Sequence, residues 1–325
     1  MKTPGERDLS LDILRSGAIL YVVGFWHLQE YSSSLNFFSD ITLLLTDIVL
    51  ALFVYISGYL LSSRYDLIGV TDLFPFFRKR MLRIYPMYLG ALTIFAVIHL
   101  ISPGVALRAS FLANMITGET LRTLWFVGLI LCFYLITPIF LYRFSPVKTV
   151  AYSAGLFTLL LVIDHRTGYI DLRLAQYLPA FVMGILVARV SAMEGLLKSR
   201  VLLVLSLVPL VGGFFAFSRF ADQYFRLFIS IVTFLAALGI LLYLGRVFSR
   251  FCGRRLVGFF AYSSYAVYLL HRISFAVGKR FFRPEGLVPS FLYLVGLILP
   301  LTIIMGYFIQ KAYDRLIVDR LTGRS

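Results

Sequence analysis

Residues 227–244 read LFISIVTFLAALGILLYL, an apolar run without a charged side chain. A run of about 20 apolar residues is long enough to cross the hydrocarbon core of a bilayer as a helix. Similar runs recur along the chain of 325 residues, of which 60% are hydrophobic and 14% are charged. A soluble domain has about 25% charged residues. The sequence therefore predicts an integral membrane protein rather than a very apolar soluble domain.

The apolar runs predict about ten transmembrane spans within a single integral-membrane domain of residues 1–325. All should be helices, because unpaired backbone groups are too costly in lipid, and the runs are too long and continuous for β-barrel strands. The predicted fold class is thus all-α, a polytopic membrane helical bundle. The predicted spans are residues 10–28, 41–62, 85–102, 123–142, 148–164, 174–190, 199–217, 225–245, 260–278 and 290–312.

The 31 Lys and Arg residues outnumber the 16 Asp and Glu residues, which gives a formal net charge of +15, and most of the basic residues lie in short connections between apolar runs. If the N-terminus is cytoplasmic, 20 of them fall in inside segments and 9 in outside segments, as the positive-inside rule favours. We therefore predict that both termini are cytoplasmic, and we attribute the charge to topology rather than to nucleic-acid binding. The first run carries Asp12 and Arg15 and lacks a cleavage site, so we expect it to remain attached as a span.

The first span carries ionisable residues, which are costly in a membrane and indicate function by default. Asp12 and Arg15 share a helix face, where they form either an ion pair near the cytoplasmic interface or a polar cluster that faces a cavity. His27 lies near the outer end, about 18 Å from Arg15 along a helix axis. A neutral imidazole there can act as a general base, although an interfacial histidine beside Trp26 is the alternative.

Two further segments leave alternatives open. Ser57 and Gly58 in the second span are small, which favours close packing of helices. A basic cluster then lies beside aromatic residues before the third span, and it can bind lipid head groups or a phosphate-bearing ligand. The cluster consists of Arg78, Lys79, Arg80 and Arg83.

Five motifs follow one another along the chain. They are Leu11-Asp12-x-x-Arg15 with a following His27, Phe53…Ser57-Gly58-Tyr59-Leu60-Leu61, Arg80-Met81-Leu82-Arg83-Ile84-Tyr85-Pro86, Leu124-Trp125-Phe126…Phe133-Tyr134-Leu135-x-x-Pro138, and Tyr262-Ser263-x-Tyr265…Tyr268-Leu269-Leu270-His271. In this order they resemble acyltransferase family 3 of membrane proteins, which includes O-acetyltransferases of bacterial polysaccharides and lipid-linked sugars. The resemblance covers nearly the whole chain.

This resemblance implies transfer of an acyl group, which we expect to be acetyl, from cytoplasmic acyl-CoA to a sugar hydroxyl or amine. The acceptor would be a surface polysaccharide or a lipid-linked glycan, and the protein would lie in the bacterial inner membrane. The implied partners are membrane lipid, acyl-CoA and the glycan. The placement of the charge argues against nucleic acid, and no pair of histidines has metal-ligand spacing, so we expect no metal.

The resemblance also assigns roles to residues of this chain. It implies that His27 and Arg15 are essential for catalysis, with Asp12 orienting Arg15. Donor binding is assigned to the basic cluster and to Ser57, with Arg80 and Arg83 expected to meet the CoA phosphates. Acceptor binding is assigned to Trp125, His271, Glu30 and Tyr134.

Two departures from the family pattern matter. Members usually have ten residues between the Arg and the His of the first span, whereas residues 16–26 make eleven here. On a regular helix this extra residue turns His27 about 120° away from Arg15, so we predict a π-bulge near Gly24. Members often carry an acidic residue before the Phe-Tyr of the fourth span, where this chain has Ile130 and Leu131. Glu30, Asp40 or Glu119 could supply that carboxylate.

The other histidines give weaker signals. His271 lies beside Arg272 within a span, where it can line the same cavity as His27 or bond a neighbouring helix, whereas we expect His99 to be structural and His165 to be solvated. A transporter or flippase for a polysaccharide or lipid-linked sugar is the alternative from another functional class, because it would also place polar residues within spans. Transport should not require CoA. CoA binding that depends on Arg80 and Arg83 would therefore distinguish an acyltransferase from a transporter.

Overall fold

The computed structural model describes residues 8–32, 35, 37–117, 121, 123–196 and 199–322, so Glu119 lies outside the described residues. Within these ranges the chain is a succession of helices, and its one β-type pairing is an isolated bridge between Leu67 and Tyr142. The α-helices are α1 (Leu9–Gly24), α2 (Asp40–Ser62), α3 (Leu73–Val97), α4 (Pro103–Ser110), α5 (Trp125–Leu141), α6 (Pro146–Thr167), α7 (Arg173–Arg189), α8 (Ser191–Leu196), α9 (Arg200–Phe217), α10 (Gln223–Phe248), α11 (Arg254–Phe281), α12 (Leu287–Phe291), α13 (Leu299–Tyr313) and α14 (Asp319–Thr322).

Each of the ten predicted spans falls on a helix, although some bounds differ. The third span was placed at residues 85–102, but α3 begins at Leu73 and ends at Val97, so the basic cluster is part of the helix. The chain turns after α3 at His99, which is exposed and has a φ of 61°. α12, α13 and α14 follow one another through two π-helical segments, Leu292–Ile298 and Asp314–Val318.

Six helical stretches among the described residues are long and apolar enough to cross a membrane. The helices at the other four predicted spans do not meet both criteria; α5 and α7, for example, have 17 residues each. The six stretches are Leu9–Glu30, Asp40–Ser62, Pro146–Thr167, Arg200–Phe217, Gln223–Phe248 and Leu287–Leu321.

The helices α6 and α9 turn apolar surface outward. In their most apolar windows of 18 residues the mean hydropathy is 1.6 and 2.1, yet only 6% and 11% of those residues are buried. Val204, Leu205 and Val208 are among the large exposed side chains of α9. Exposing such a surface to water would cost a free energy of about 25 cal/mol per Å² of apolar area, whereas exposing it to lipid would not. The chain is therefore a helical membrane protein.

Packing divides the chain into two compact units. The first unit comprises Met1–Phe53 and Gly195–Lys311, and the second comprises Val54–Glu194 and Ala312–Ser325. In the first unit α1 packs against both α10 and α11, and α9 packs against α10. In the second unit α5 packs against α3, α6 and α7.

Contacts within the first unit show that α11 runs parallel to α1. Near the start of both helices the Ser16 hydroxyl donates to the carbonyl oxygen of Val257 at 3.3 Å. Farther along, the rings of His27 and His271 stack. α1 and α11 correspond to the first and the ninth predicted spans. Because odd-numbered spans cross the membrane in the same direction, the predicted order of spans requires these two helices to be parallel.

The helix α10 runs antiparallel to α1. A Cβ atom added at Gly245, near the end of α10, would lie 2.9 Å from the side chain of Leu14 in α1. At the other end of α10, Arg226 forms an ion pair with Asp40 at the start of α2, at 2.6 Å. One of the three carboxylates considered as substitutes for the missing acid, Asp40, is therefore paired with an arginine.

In the second unit Gly58 and Gly184 allow α2 and α7 to approach closely. A Cβ atom at Gly58 would lie 2.2 Å from the carbonyl oxygen of Phe181, and one at Gly184 would lie 2.2 Å from that of Tyr55. A carbonyl oxygen in a helix cannot move aside as a flexible side chain can. Gly58 therefore serves the close packing of helices that its small size favours.

Replacement of Gly184 by Ala should destabilise the protein, since the added methyl group forces the backbones of α2 and α7 apart. We expect a loss of about 1–3 kcal/mol in the free energy of unfolding, as for other overpacked cores. Thermal unfolding of the purified protein in detergent measures this loss of stability. Gly155→Ala is the matched control, because Gly155 is helical and exposed and its added Cβ would meet nothing within 4 Å. Equal unfolding temperatures for the two variants would contradict the close approach.

Candidate active site

The first predicted span is not one regular helix. α1 ends at Gly24, Phe25 leaves the helical region with φ −134° and ψ −67°, and Trp26–Glu30 form a 3₁₀-helix. The predicted π-bulge near Gly24 is therefore wrong. The chain accommodates the longer spacing by ending α1 and winding the next turn more tightly, with about three residues per turn. His27 is consequently buried, with 7% of its surface exposed.

The ring of His27 stacks on the ring of His271 in α11. The two centroids are 4.7 Å apart and the planes differ by 15°. His271 has no exposed surface, and Phe275 packs edge-on against it at 6.3 Å. Two of the four histidines thus form one buried pair in the first unit, whereas His165, like His99, is exposed.

A hydrogen bond fixes the tautomer of His271. Its Nδ1 lies 2.6 Å from the carbonyl oxygen of Tyr268. Because a carbonyl oxygen can only accept, Nδ1 carries the hydrogen, and Nε2 of the neutral ring keeps its lone pair. His271 therefore presents a buried hydrogen-bond acceptor, while its stack fixes the ring of His27.

Arg272 forms a two-point ion pair with Glu30. The Nη2 atom donates to Oε1 at 2.5 Å, and Nη1 donates to Oε2. The side chain of Arg272 is 6% exposed and that of Glu30 is 39% exposed. The pair connects the 3₁₀ segment that carries His27 to the helix that carries His271. The structure thus places Glu30, a predicted acceptor-binding residue, against a buried arginine.

Several polar atoms of these two segments are buried without a hydrogen-bond partner in the described part of the chain. Proteins pair about 90% or more of their buried polar groups, so a group of unpaired atoms calls for an explanation. A ligand that carries hydroxyl groups would provide both donors and acceptors to them. The atoms are Nδ1 of His27, Oε1 of Gln29, Nε2 of His271, Nε of Arg272 and Oγ of Ser274.

The catalytic candidates Asp12 and Arg15 lie earlier in α1, and both are half-buried. The neighbouring Ser16 bonds to Val257 of α11, so this level of α1 faces the start of α11. The pair α1 and α11 therefore presents Arg15 near one end and the two histidines near the other.

The four cations of the basic cluster do not share one side of α3. Arg80 is buried beneath the ring of Tyr65, whose centroid lies 4.8 Å from the guanidinium carbon. Arg78 donates to the carbonyl oxygen of Leu321 at 2.6 Å. Lys79 and Arg83 are exposed, and all of these residues belong to the second unit.

Asp72 caps the segment that precedes α3. The backbone N–H groups of Gly69 and Ile68 donate to its Oδ2 at 2.8 and 3.0 Å. These hydrogen bonds favour the carboxylate and hold the pKa of Asp72 below its usual value.

The remaining predicted site residues also lie in the second unit. Ser57 is half-buried on α2, next to the close contact at Gly58, and Tyr134 is buried in α5. Trp125 opens α5, where its ring stacks with Tyr177 at 6.3 Å and lies 3.9 Å below the guanidinium of Arg173. In the first unit the structure thus brings together His27, His271 and Glu30.

Sequence reasoning assigned no role to Arg272 or Arg189. Arg272 could have been singled out, because it is a cation within a predicted span, as Arg15 is. Arg189 bonds to Asp66, to the carbonyl oxygen of Tyr65 and to Ser62, and no local pattern links residues so distant in sequence.

A family model described as an acyltransferase domain matches residues 8–309. The chain belongs to acyltransferase family 3. No curated protein and no solved structure matches the chain. The match covers α1 and α11, so both histidines of this family member lie within the acyltransferase domain.

A double-mutant cycle of Glu30→Gln and Arg272→Met should reveal coupling of about 1–2 kcal/mol in the free energy of unfolding. The bidentate contact is charge-assisted, but the partial exposure of Glu30 weakens it. Unfolding in detergent measures the cycle, and Glu285→Gln is the control at an exposed glutamate. Strictly additive effects would show that the pair does not hold the two segments together.

Proposed function

We propose that this acyltransferase moves an acyl group, acetyl in the simplest case, from acyl-CoA to a hydroxyl or amine of a surface polysaccharide or lipid-linked glycan. It does so in the bacterial inner membrane, with ten spans and both termini in the cytoplasm. Membership of acyltransferase family 3 supports the reaction class. The parallel course of α1 and α11 agrees with the proposed order of spans.

The stacked pair of His27 and His271 carries the proposal. General-base catalysis requires a group that accepts a proton near the reacting hydroxyl, and imidazole is the side chain used most often. His27 offers a buried Nδ1 without a partner among the described residues, held in place by the stack on His271. The adjacent unpaired atoms offer hydrogen bonds to a sugar.

The proposed reaction is direct transfer. The acceptor oxygen attacks the carbonyl carbon of the thioester while Nδ1 of His27 takes the hydroxyl proton. The carbon–sulfur bond breaks, and the departing thiolate receives this proton from the imidazolium. The products are an acyl ester of the sugar and the free thiol of CoA.

The other predicted residues support this step. Arg15, oriented by Asp12, positions the donor along α1, and His271 positions the ring of His27. Ser57 and the basic cluster, through Arg80 and Arg83 above all, hold the donor. Trp125, Tyr134 and Glu30 contribute to acceptor binding, in the case of Glu30 by holding Arg272 in place.

Replacement of His27 by Ala should lower the rate of acyl transfer by about 10²–10⁴-fold, the usual contribution of a general base. The measurement uses purified protein, labelled acetyl-CoA and a sugar acceptor. His165→Ala is the matched control, because His165 is exposed and far from α1 in sequence. Equal rates for the wild type and His27→Ala would refute the mechanism.

Replacement of the exposed Arg83 by Gln should raise the KM for acyl-CoA about tenfold and leave kcat nearly unchanged, since one phosphate contact is lost. Arg166→Gln, at another exposed arginine, is the control. Sugar transport by a protein that neither binds nor consumes acyl-CoA would instead favour the transporter function.

A further inference from the structure

A cavity of about 430 Å³ lies in the first unit, between the start of α11 and the end of α13. We call it the α11–α13 cavity. Four of its residues recur at helical spacing along one side of α11, and the other two lie one turn apart on α13. It is lined by Arg255, Gly258, Phe259, Tyr262, Tyr307 and Lys311.

The lining of the α11–α13 cavity is positively charged. Arg255 and Lys311 contribute two cations, and none of the lining residues is acidic. Within the described part of the chain neither cation is paired with a carboxylate. Arg255 also lies in the first turn of α11, where the helix dipole favours an anion. The cavity therefore suits an anionic group.

The surface that borders the cavity is apolar. Leu256 follows Arg255 on α11 and is 66% exposed, while Ile304 and Phe308 of α13 are 49% and 62% exposed. In a helical membrane protein, exposed side chains of this kind contact the acyl chains of lipids. A soluble anion would meet only the cations, whereas an amphiphile would meet both the cations and the apolar border.

Three aromatic rings place the cavity at the depth of lipid head groups. Phe259 and Tyr307 lie 4.8 Å apart between centroids, and Tyr262 meets Tyr307 edge-on at 5.7 Å. The Nζ atom of Lys311 lies 5.8 Å from the centroid of the Tyr307 ring. Tyrosine is enriched where the membrane meets water, and lysine extends its ammonium group toward the same region.

The proposed topology puts this end of both helices at the cytoplasmic leaflet. The loop before α11 carries the exposed cations Arg250 and Arg254, and anionic lipids of that leaflet attract such juxtamembrane basic segments. Attraction of this general kind acts on every exposed cation alike. A cavity formed by two helices instead makes binding depend on Arg255 and Lys311 in particular.

We propose that the α11–α13 cavity binds the head group of an anionic phospholipid, with the phosphate on Arg255 and Lys311 and the acyl chains along the exposed side chains of α13. The bound lipid joins α13 to α11, the helix that carries His271. The site is separate from the proposed acyl transfer and from the donor site proposed at Arg80 and Arg83.

Native mass spectrometry of the purified full-length protein tests the site, with phosphatidylglycerol and phosphatidylcholine of the same acyl chains as probes. Arg255→Gln and Lys311→Gln should each weaken binding of phosphatidylglycerol about fivefold, which corresponds to about 1 kcal/mol, and leave binding of phosphatidylcholine unchanged. Gly258→Leu should weaken it as much while keeping both cations. A Cβ atom at Gly258 would meet nothing within 4 Å, so the leucine side chain fills the cavity.

The matched controls separate a cavity from general surface charge. Arg254→Gln removes the adjacent exposed arginine, which does not line the cavity, and Gly155→Leu adds the same side chain at an open helical glycine of the second unit. Both should bind phosphatidylglycerol as the wild type does.

Three results would overturn the proposal. They are unchanged affinity for phosphatidylglycerol in the three cavity variants, an equal loss in Arg254→Gln and Arg255→Gln, and binding of glycerol 3-phosphate, which lacks acyl chains, as tightly as the lipid. Acyl-CoA is absent from these measurements, and all the variants keep His27. Failure of the lipid site is therefore distinguishable from failure of the proposed reaction.

Discussion

The packing of the end of the first span against α11 is the constraint on which the site depends. Stacking of His27 on His271 and the ion pair of Glu30 with Arg272 both join these two segments. Neither contact is available to a straight continuation of α1, because the chain must leave the helix at Phe25 to bury His27. The break at Phe25 therefore allows an otherwise apolar span to hold a buried imidazole.

The same pair of helices organises the first unit from end to end. Ser16 and Val257 fix their contact near the starts, and the histidines fix it farther along. Arg15 and Arg255 lie toward one end of this axis, and the two histidines lie toward the other, beside the ion pair of Arg272 with Glu30. Such a separation suits a reaction in which an anionic donor and a neutral acceptor must meet at one proton acceptor.

Much of the fold could be predicted from composition, because apolar runs of membrane length allow few alternatives to helices. The polar residues in the first span and His271 were also recognisable, since charge or imidazole inside a span is costly. The way in which the extra residue before His27 is accommodated could not be predicted. A π-bulge and a 3₁₀ turn both absorb it, and the choice depends on packing of the break against residues far along the chain, such as Leu299 beside Gly24.

The interaction of Arg272 with Glu30 was likewise not predicted, because the two residues are separated by most of the chain. The central claim is that the donor lies along α1 and α11 with its reactive carbon beside His27. A cryo-electron microscopy structure with a non-hydrolysable thioether analogue of acetyl-CoA tests it most directly. We predict that the carbonyl group of the analogue lies within about 4 Å of the His27 ring, close enough for an acceptor hydroxyl to bridge them. A carbonyl group bound away from both His27 and His271 would contradict the account.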